Sequence, residues 1–496
     1  MNQLNAEDPR SKCVQCKKPH NNELNKYCWS CVSNNTEQKY GRCIMCKQIN
    51  TGKDWCQPCN SKRFQENFDS WTSGNDEIDN FIQNTQLSAE NHHQILEWIP
   101  YNRFGKPKYI AEGGFGKVYR ASWKDGHITH WDTSYRKWGR VRGSDSLVAL
   151  KSLNNSQNVT LKFINEITSH LKVHEYTMTE TIVRCYGITQ DPNTKDYIMV
   201  MYYAERGNLQ NLLNEVSQKQ HKWQNSYKFS NLDLNIRIWR CKINILRSIS
   251  AGLRKIHGKE LIHRDLHIGN IVCNRTSPRI TDLGLCKPAN YNGGNNMRYG
   301  VLPYLAPEIL RGQDYTKASD IYSFGIIMYV VISGLPPYYN VAHDELLALD
   351  ICKGLRPEFN IKVPKLILHI IKSCLDANPS NRPYAKSLSR TFNEFLNDFN
   401  KDTKSYSESI NKTKLIKQIE EAGQINNNSS TNSSPLTNKI HPEAIYKSRP
   451  FNYKNLTEPK NSDGYYEIYD NISTIKCSES LLKSDKSDCL ECEITD

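Results

Sequence analysis

His263-Arg264-Asp265-Leu266-His267-Ile268-Gly269-Asn270 is followed by Ile280-Thr281-Asp282-Leu283-Gly284, then by Ala306-Pro307-Glu308 and by Asp320-Ile321-Tyr322-Ser323-Phe324-Gly325. Working outward, an apolar helix is expected upstream over Ile236 to His257, and Asn378-Pro379-Ser380-Asn381-Arg382-Pro383 lies downstream. Each motif sets ionisable or amide side chains among apolar neighbours. No single one is decisive; their order along the chain is the informative feature.

Two weaker signals precede them. Ile110-Ala111-Glu112-Gly113-Gly114-Phe115-Gly116-Lys117-Val118-Tyr119 places glycines between two strand-like runs, where small residues let backbone N–H groups close over phosphates. A glycine-containing hairpin with no ligand reads the same way. Val148-Ala149-Leu150-Lys151 is an apolar strand carrying one lysine, followed by a helical stretch with Glu166. A lone strand lysine is ordinarily a solvated edge residue, and only the motifs that follow it change that reading.

Taken in order, these motifs resemble the eukaryotic protein kinase family over residues 104–400. Leu283 in the Asp-x-Gly motif is similar to the tyrosine-kinase-like group, including the large kinase sets of some fungi. The resemblance implies an α+β, bilobal fold with a small β-rich N-lobe and a larger helical C-lobe. It also implies transfer of the γ-phosphoryl group of ATP to a protein hydroxyl, with Mg²⁺ as cofactor. In that family's terms Lys151 holds the α- and β-phosphates and pairs with Glu166. Asn270 and Asp282 hold magnesium, and Asp265 orients the acceptor hydroxyl and takes its proton. The nucleotide would lie against Ile110, Ala111, Gly113, Gly114, Phe115, Gly116, Val118, Ala149 and Lys151. Met201 falls at the gatekeeper position, with Tyr202 to Ala204 as hinge. Glu308 resembles the glutamate that pairs with a late arginine, here Arg382, and His263 is expected to pack rather than to bind a ligand.

Departures from the family pattern are informative. Ala111 replaces the first loop glycine, His267 replaces the lysine or arginine two positions after Asp265, and Val301 stands where serine/threonine kinases carry a threonine. The arginine-containing loop of tyrosine kinases is also missing, and group membership favours serine/threonine. Between Asp282 and Glu308 the only hydroxyl-bearing residues are Tyr291, Tyr299 and Tyr304. The rival reading is a pseudokinase scaffold, against which the presence of Lys151, Glu166, Asp265, Asn270 and Asp282 together counts. Two insertions, Arg120 to Leu147 with Trp123, Trp131 and Trp138, and Glu215 to Asp233, read as surface elaborations.

At the N-terminus eight cysteines form four C-x-x-C knuckles: Cys13/Cys16, Cys28/Cys31, Cys43/Cys46 and Cys56/Cys59. Two such turns complete a tetrahedral four-thiolate zinc site. Cys13-Val14-Gln15-Cys16-Lys17 repeats as Cys43-Ile44-Met45-Cys46-Lys47, which favours sequential over cross-braced pairing. The expectation is two structural Zn²⁺ ions in a tandem knuckle or ribbon module over residues 1–64, held mainly by metal and offering a surface to a protein partner.

Residues 65–103 carry Ile78, Phe81 and Ile82, then Ile95, Leu96, Trp98 and Ile99, and are expected to form one or two amphipathic helices. Residues 401–496 lose periodicity, and Gln424 to Ser434 is almost wholly Asn, Ser and Thr, so a disordered tail is expected. At roughly 150 residues per domain the 496-residue chain has room for two to four domains. Its net charge of +13 divides as +6 over residues 1–64, +9 over 65–400 and −2 beyond, without a run of like charges, so a nucleic-acid partner is not expected. Two zinc ions on eight thiolates would take the module from +6 to +2. Met1 to Asp8 lacks a basic or apolar leader and no run is long enough to span a bilayer, so a cytoplasmic location without membrane contact is expected, with reduced cysteines.

Overall fold

The computed structural model describes residues 36–113, 116–141, 146–153, 161–173, 180–224, 231–274, 277–288, 298–402, 413–429, 440–453 and 455–462. These fall into two compact units. The first comprises residues 1–163, 174–178 and 184–203, and the second residues 164–173, 179–183 and 204–496.

The first unit is built on a six-stranded sheet. Its strands are β1 (Glu97–Trp98), β2 (Lys108–Gly113), β3 (Gly116–Ser122), β6 (Leu147–Leu153), β7 (Cys185–Gln190) and β8 (Tyr197–Tyr202), in the order β1-β7-β8-β6-β3-β2. Only β1 and β7 run parallel. β7 and β8 are buried along almost their whole length, which in β8 suits the run Ile198-Met199-Val200-Met201. A separate hairpin, β4 (Ile128–Asp132) and β5 (Lys137–Arg140), is formed by the insertion after β3.

Around this sheet pack α1 (Gln57–Gln65) and α2 (Asp76–Ser88). Asn75 caps α2 by accepting from the N–H groups of Glu77 and Ile78, and Ile78 and Ile82 are buried as their spacing predicts. The second expected helix does not form. Ile95, Leu96 and Ile99 are buried around β1, which completes the edge of the sheet, so tertiary pairing has overridden a four-residue apolar run too short to fix its own period.

The cysteine segment is no isolated module either. Trp55 is fully buried, its Nε1 donates to the Ala89 carbonyl at 2.9 Å, and Phe64 stacks on Trp138 with ring centroids 4.4 Å apart. Ala89, Ile95 and Ile128 close the same cluster. The insertion expected to be a surface elaboration therefore supplies a core, with Trp123 itself only 2% exposed.

The second unit is mainly helical, with a short antiparallel pair of strands, β9 (Leu261–Ile262) and β12 (Lys287–Pro288). It contains α3 (Leu161–Val173) from Ile164 onward, α4 (Leu209–Gln224), α5 (Asn231–Gly258), α6 (Lys317–Ser333), α7 (Glu345–Cys352), α8 (Lys365–Cys374), α9 (Ala385–Asp402) and α10 (Lys414–Ser429). Nearly every residue of α6 is buried. It starts on a capping box, Thr316 with Ser319, and ends at Gly334 in the left-handed region at φ +76°. Among the described residues no helix is long and apolar enough to cross a membrane. Glu308 and Arg382 form a bidentate ion pair at 2.6 and 2.8 Å inside this core, and Arg382 also donates to the carbonyls of Asp376 and Ala318.

The expectation of a structureless tail over 401–496 is corrected in two places. α10 buries Leu415, Ile416 and Ile419 against α5, where Asn235 Nδ2 donates to the Ile419 carbonyl. The polar composition that follows this apolar stripe masked it. Residues 440–462 lie along the same unit. The strand β14 (Arg449–Phe451) pairs with β13 (Arg298–Gly300), the Lys460 N–H donates to the Cys352 carbonyl, and Arg311 pairs with Glu458. The expected disorder beyond 462, and the first cysteine repeat at 13–31, lie outside the described residues.

Two outcomes test these contacts by urea unfolding. Arg382→Ala leaves Glu308 buried and unpaired and should cost about 3–5 kcal/mol, much of it recovered in the Glu308→Leu/Arg382→Met double variant. Ile416→Ala should cost about 2–5 kcal/mol if α10 is an integral part of the core, whereas a change below about 0.5 kcal/mol would mean that it is not.

Candidate active site

In the second unit the site begins with a hairpin. β10 (Ile271–Asn274) and β11 (Ser277–Ile280) pair with Ile271 opposite Ile280, so the residue before the first strand and those after the second emerge side by side. Asn270 and Asp282 hold these positions, and the Thr281 N–H donates to the Asn270 carbonyl at 2.9 Å. Asn270 Nδ2 donates to the Asp265 carbonyl at 2.9 Å and to Asp265 Oδ2 at 3.3 Å. That leaves the Asn270 side-chain oxygen and the Asp282 carboxylate as hard oxygen donors of the kind magnesium prefers. The backbone passes through the left-handed region at both Arg264 and Asp282, with φ of +71° and +60°. For residues other than glycine this costs energy and is concentrated at functional loops.

Asp265 is 5% exposed and its Oδ1 has no hydrogen-bond partner. Burial raises its pKa from the ordinary carboxylate range to about 6; His263 opposes the shift and the neighbouring Asp282 charge adds to it. His263 is buried. Its Nδ1 accepts from the Asp265 N–H and its Nε2 lies 3.1 Å from the Thr281 carbonyl, an arrangement that a neutral ring protonated at Nε2 satisfies. His267 sits 3.8 Å from Asp265 Oδ2, and burial lowers its pKa to about 4. At neutral pH it is uncharged and does not replace the cation that lysine supplies elsewhere in the family. Val301, beside it in the departures from the family pattern, is 1% exposed.

Sequence reasoning gave no role to Asp320, although it lies in a quoted motif. From the first turn of α6 its carboxylate accepts from the N–H groups of His263 at 2.8 Å and Arg264 at 3.0 Å, and lies 2.9 Å from His257 Nε2. An acidic residue at a helix start with buried chain before it was the available signal. Glu166 of α3 is 1% exposed. Its Oε2 and Asp282 Oδ1 lie 2.8 and 3.4 Å from where a Cβ on Gly284 would stand, so a larger residue at that turn would displace the Glu166 carboxylate.

The first unit holds the remaining expected residues. Register sets Lys151 opposite both Val118 and Met199, and Ala149 opposite Met201, while Ala111 faces Val118 past a bulge. Opposed residues share a face and so do alternate ones, so Ala111, Val118, Ala149, Lys151 and Met201 lie on one face of the sheet. Lys151 is 9% exposed. Tyr202 pairs with Val148 on the opposite face, and Ala204 begins the second unit. Ile110 is exposed, Gly113 pairs with Gly116 where β2 turns into β3, and Gly114 and Phe115 lie outside the described residues.

In the same unit Cys43, Cys46, Cys56 and Cys59 bring their sulfurs within 4.8 Å of one another. Cys43 and Cys59 are 3.8 Å apart and Cys46 and Cys56 3.5 Å, close to the edge of about 3.8 Å that a tetrahedron of 2.3 Å zinc–sulfur bonds requires. Burial works against ionisation at Cys43, but the N–H groups of Cys46 and Met45 prevail and bring its pKa to about 7. Burial and the neighbouring thiols push Cys56 and Cys59 upward, so the four cannot all ionise unless a cation joins them. The four donors fit zinc.

The protein kinase domain family model matches residues 137–392, just over half of the chain. A "probable serine/threonine-protein kinase" of Dictyostelium discoideum is 26% identical over 58% of this chain and 19% of its own length. The Dictyostelium protein gdt2, described in the same words, is 27% identical over 62% of this chain and 16% of its own. The Raf homolog serine/threonine-protein kinase of Caenorhabditis elegans is 34% identical over 59% of this chain and 33% of its own. The chain thus spans a third or less of the length of these relatives. The matched span contains Lys151, Glu166, Asp265, Asn270 and Asp282, and its β10–β11 hairpin gathers the last three: this chain belongs to the protein kinase family.

Proposed function

We propose that the chain transfers the γ-phosphoryl group of ATP to serine or threonine hydroxyls of proteins. One observation carries the reading: Asp265, buried and poised near neutrality, sits beside the oxygen donors Asn270 and Asp282 in a loop pinned by Asp320. Asp265 aligns the acceptor hydroxyl and accepts its proton, and Lys151 neutralises the α- and β-phosphates. Magnesium held by Asn270 and Asp282 would offset charge on the phosphates. The shared face of Ala111, Val118, Ala149 and Met201 supports an adenine site, with Tyr202 and Ala204 as hinge. Ile110, Gly113, Gly114, Phe115 and Gly116 form the phosphate loop of a domain spanning 104–400. The names of the relatives support serine/threonine preference, and Leu283 supports membership of the tyrosine-kinase-like group.

Asp265→Asn should lower transfer to a generic protein acceptor by about 100-fold or more in an assay with labelled ATP. Equal rates in the two proteins would establish a scaffold instead. Since Asp265 acts as the carboxylate and its pKa is raised to about 6, kcat should fall as pH drops below that value. A flat profile from pH 5 to 8, measured with substrates saturating, would remove Asp265 as the base.

The cysteine repeats are read as two zinc sites, Cys13, Cys16, Cys28 and Cys31 on one ion and Cys43, Cys46, Cys56 and Cys59 on the other, in a module that binds a protein partner. Free cysteines throughout the described residues suit a cytoplasmic setting. Metal analysis should return two zinc ions per chain. Chelation should also redden tryptophan emission as Trp55 loses its buried setting, and one ion per chain would overturn the sequential pairing.

A further inference from the structure

The tail strand β14 lies antiparallel to β13, with Gly300 opposite Arg449, Tyr299 opposite Pro450 and Arg298 opposite Phe451. Pro450, which has no N–H, takes the middle position, where a three-pair antiparallel ladder can place a pair that needs no hydrogen bond. Phe451 is buried, Tyr446 Oη donates to the Pro337 carbonyl at 2.9 Å, and the Arg449 guanidinium donates to the His343 carbonyl. These contacts fix the position of Ser448 between them. Its Oγ is buried without a well-formed hydrogen bond, as is Asp265 Oδ1, yet the hydroxyl lies close enough to Asp265 to help hold that carboxylate's charge. The loop from Asp282 to Glu308 contains no serine or threonine, so the tail delivers to Asp265 an aliphatic hydroxyl which that loop does not supply.

We propose that residues 444–451 are an acceptor strand contributed by the chain itself, and that Ser448 is a site of intramolecular phosphorylation. The inference rests on the reading of Asp265 as the base of a phosphoryl transfer. Ser448 Oγ forms a bond to the γ-phosphorus of ATP, and the bond from that phosphorus to the β,γ-bridging oxygen breaks. The hydroxyl proton passes to the Asp265 carboxylate and ADP leaves. Strand addition to a free edge is a general way of seating an extended peptide, so β14 also occupies the place on β13 where an external acceptor would pair. Once phosphorylated, Ser448 carries a charge of about −2 beside Asp265 and Asp282, and repulsion then favours release of the strand.

The test uses the full chain, first treated with phosphatase and then given Mg-ATP, with myelin basic protein as external acceptor in parallel reactions. Phosphosites are mapped by mass spectrometry. Phosphate should appear on Ser448, at a rate per molecule that is constant over roughly a 100-fold range of protein concentration, because the acceptor is tethered. Phe451→Asp, which undocks the strand, should slow labelling of Ser448 by about tenfold or more while transfer to myelin basic protein persists. Labelling of the external protein without Ser448 would overturn this inference and leave the kinase reading intact. So would a Ser448 rate that rises in proportion to concentration, or one that Phe451→Asp does not alter. Failure to label either acceptor would overturn the kinase reading and this inference with it.

Discussion

The Asp320 carboxylate is the constraint on which the candidate site depends. Set in the first turn of the buried helix α6, it accepts the N–H groups of His263 and Arg264 and faces His257 at the end of α5. Hydrogen bonds to a charged acceptor contribute about 1.5–3 kcal/mol each, enough to offset the cost of about 1–3 kcal/mol for the left-handed backbone at Arg264. With that turn fixed, Asp265 points into a buried space and Asn270, reached through a short 3-10 turn, bridges its carbonyl and carboxylate. The hairpin that follows carries Asp282 back to Asn270. The chemistry-bearing side chains are thus held by backbone geometry anchored in the most deeply buried helix of the unit.

A second consequence of burial concerns charge. Asp265 and Asp282 repel each other, and burial leaves His267 uncharged at neutral pH. His267 therefore places no charge against Asp265, at a position where the family commonly has a lysine or arginine. The coupled replacements His267 and Val301 are consistent in this sense: one offers no charge and the other asks for no partner.

In the first unit the aromatic side chains determine how the parts combine. Trp55 from the cysteine segment, Phe64 from α1 and Trp138 from β5 stack into one cluster. The cysteine segment is consequently wedded to the insertion between β3 and β6, which explains why that insertion is rich in tryptophan.

The sequence by itself determined the protein kinase family and the grouping of Asp265 with Asn270 and of Cys43, Cys46, Cys56 and Cys59, because these depend on residue type at short, fixed spacing. Asp265 to Asn270 is one loop and Cys43 to Cys59 is two turns, so local geometry nearly suffices. Other features were settled by contacts between residues far apart. Glu97 and Trp98 became a strand because a sheet edge was free to pair with them, and α10 formed because α5 offered an apolar surface to Leu415, Ile416 and Ile419. The anchoring role of Asp320 and the placement of Ser448 beside Asp265 link residues 57 and 183 positions apart. Periodicity and composition read a chain along its length, whereas these features arise from burial and pairing across it, which only the tertiary structure decided.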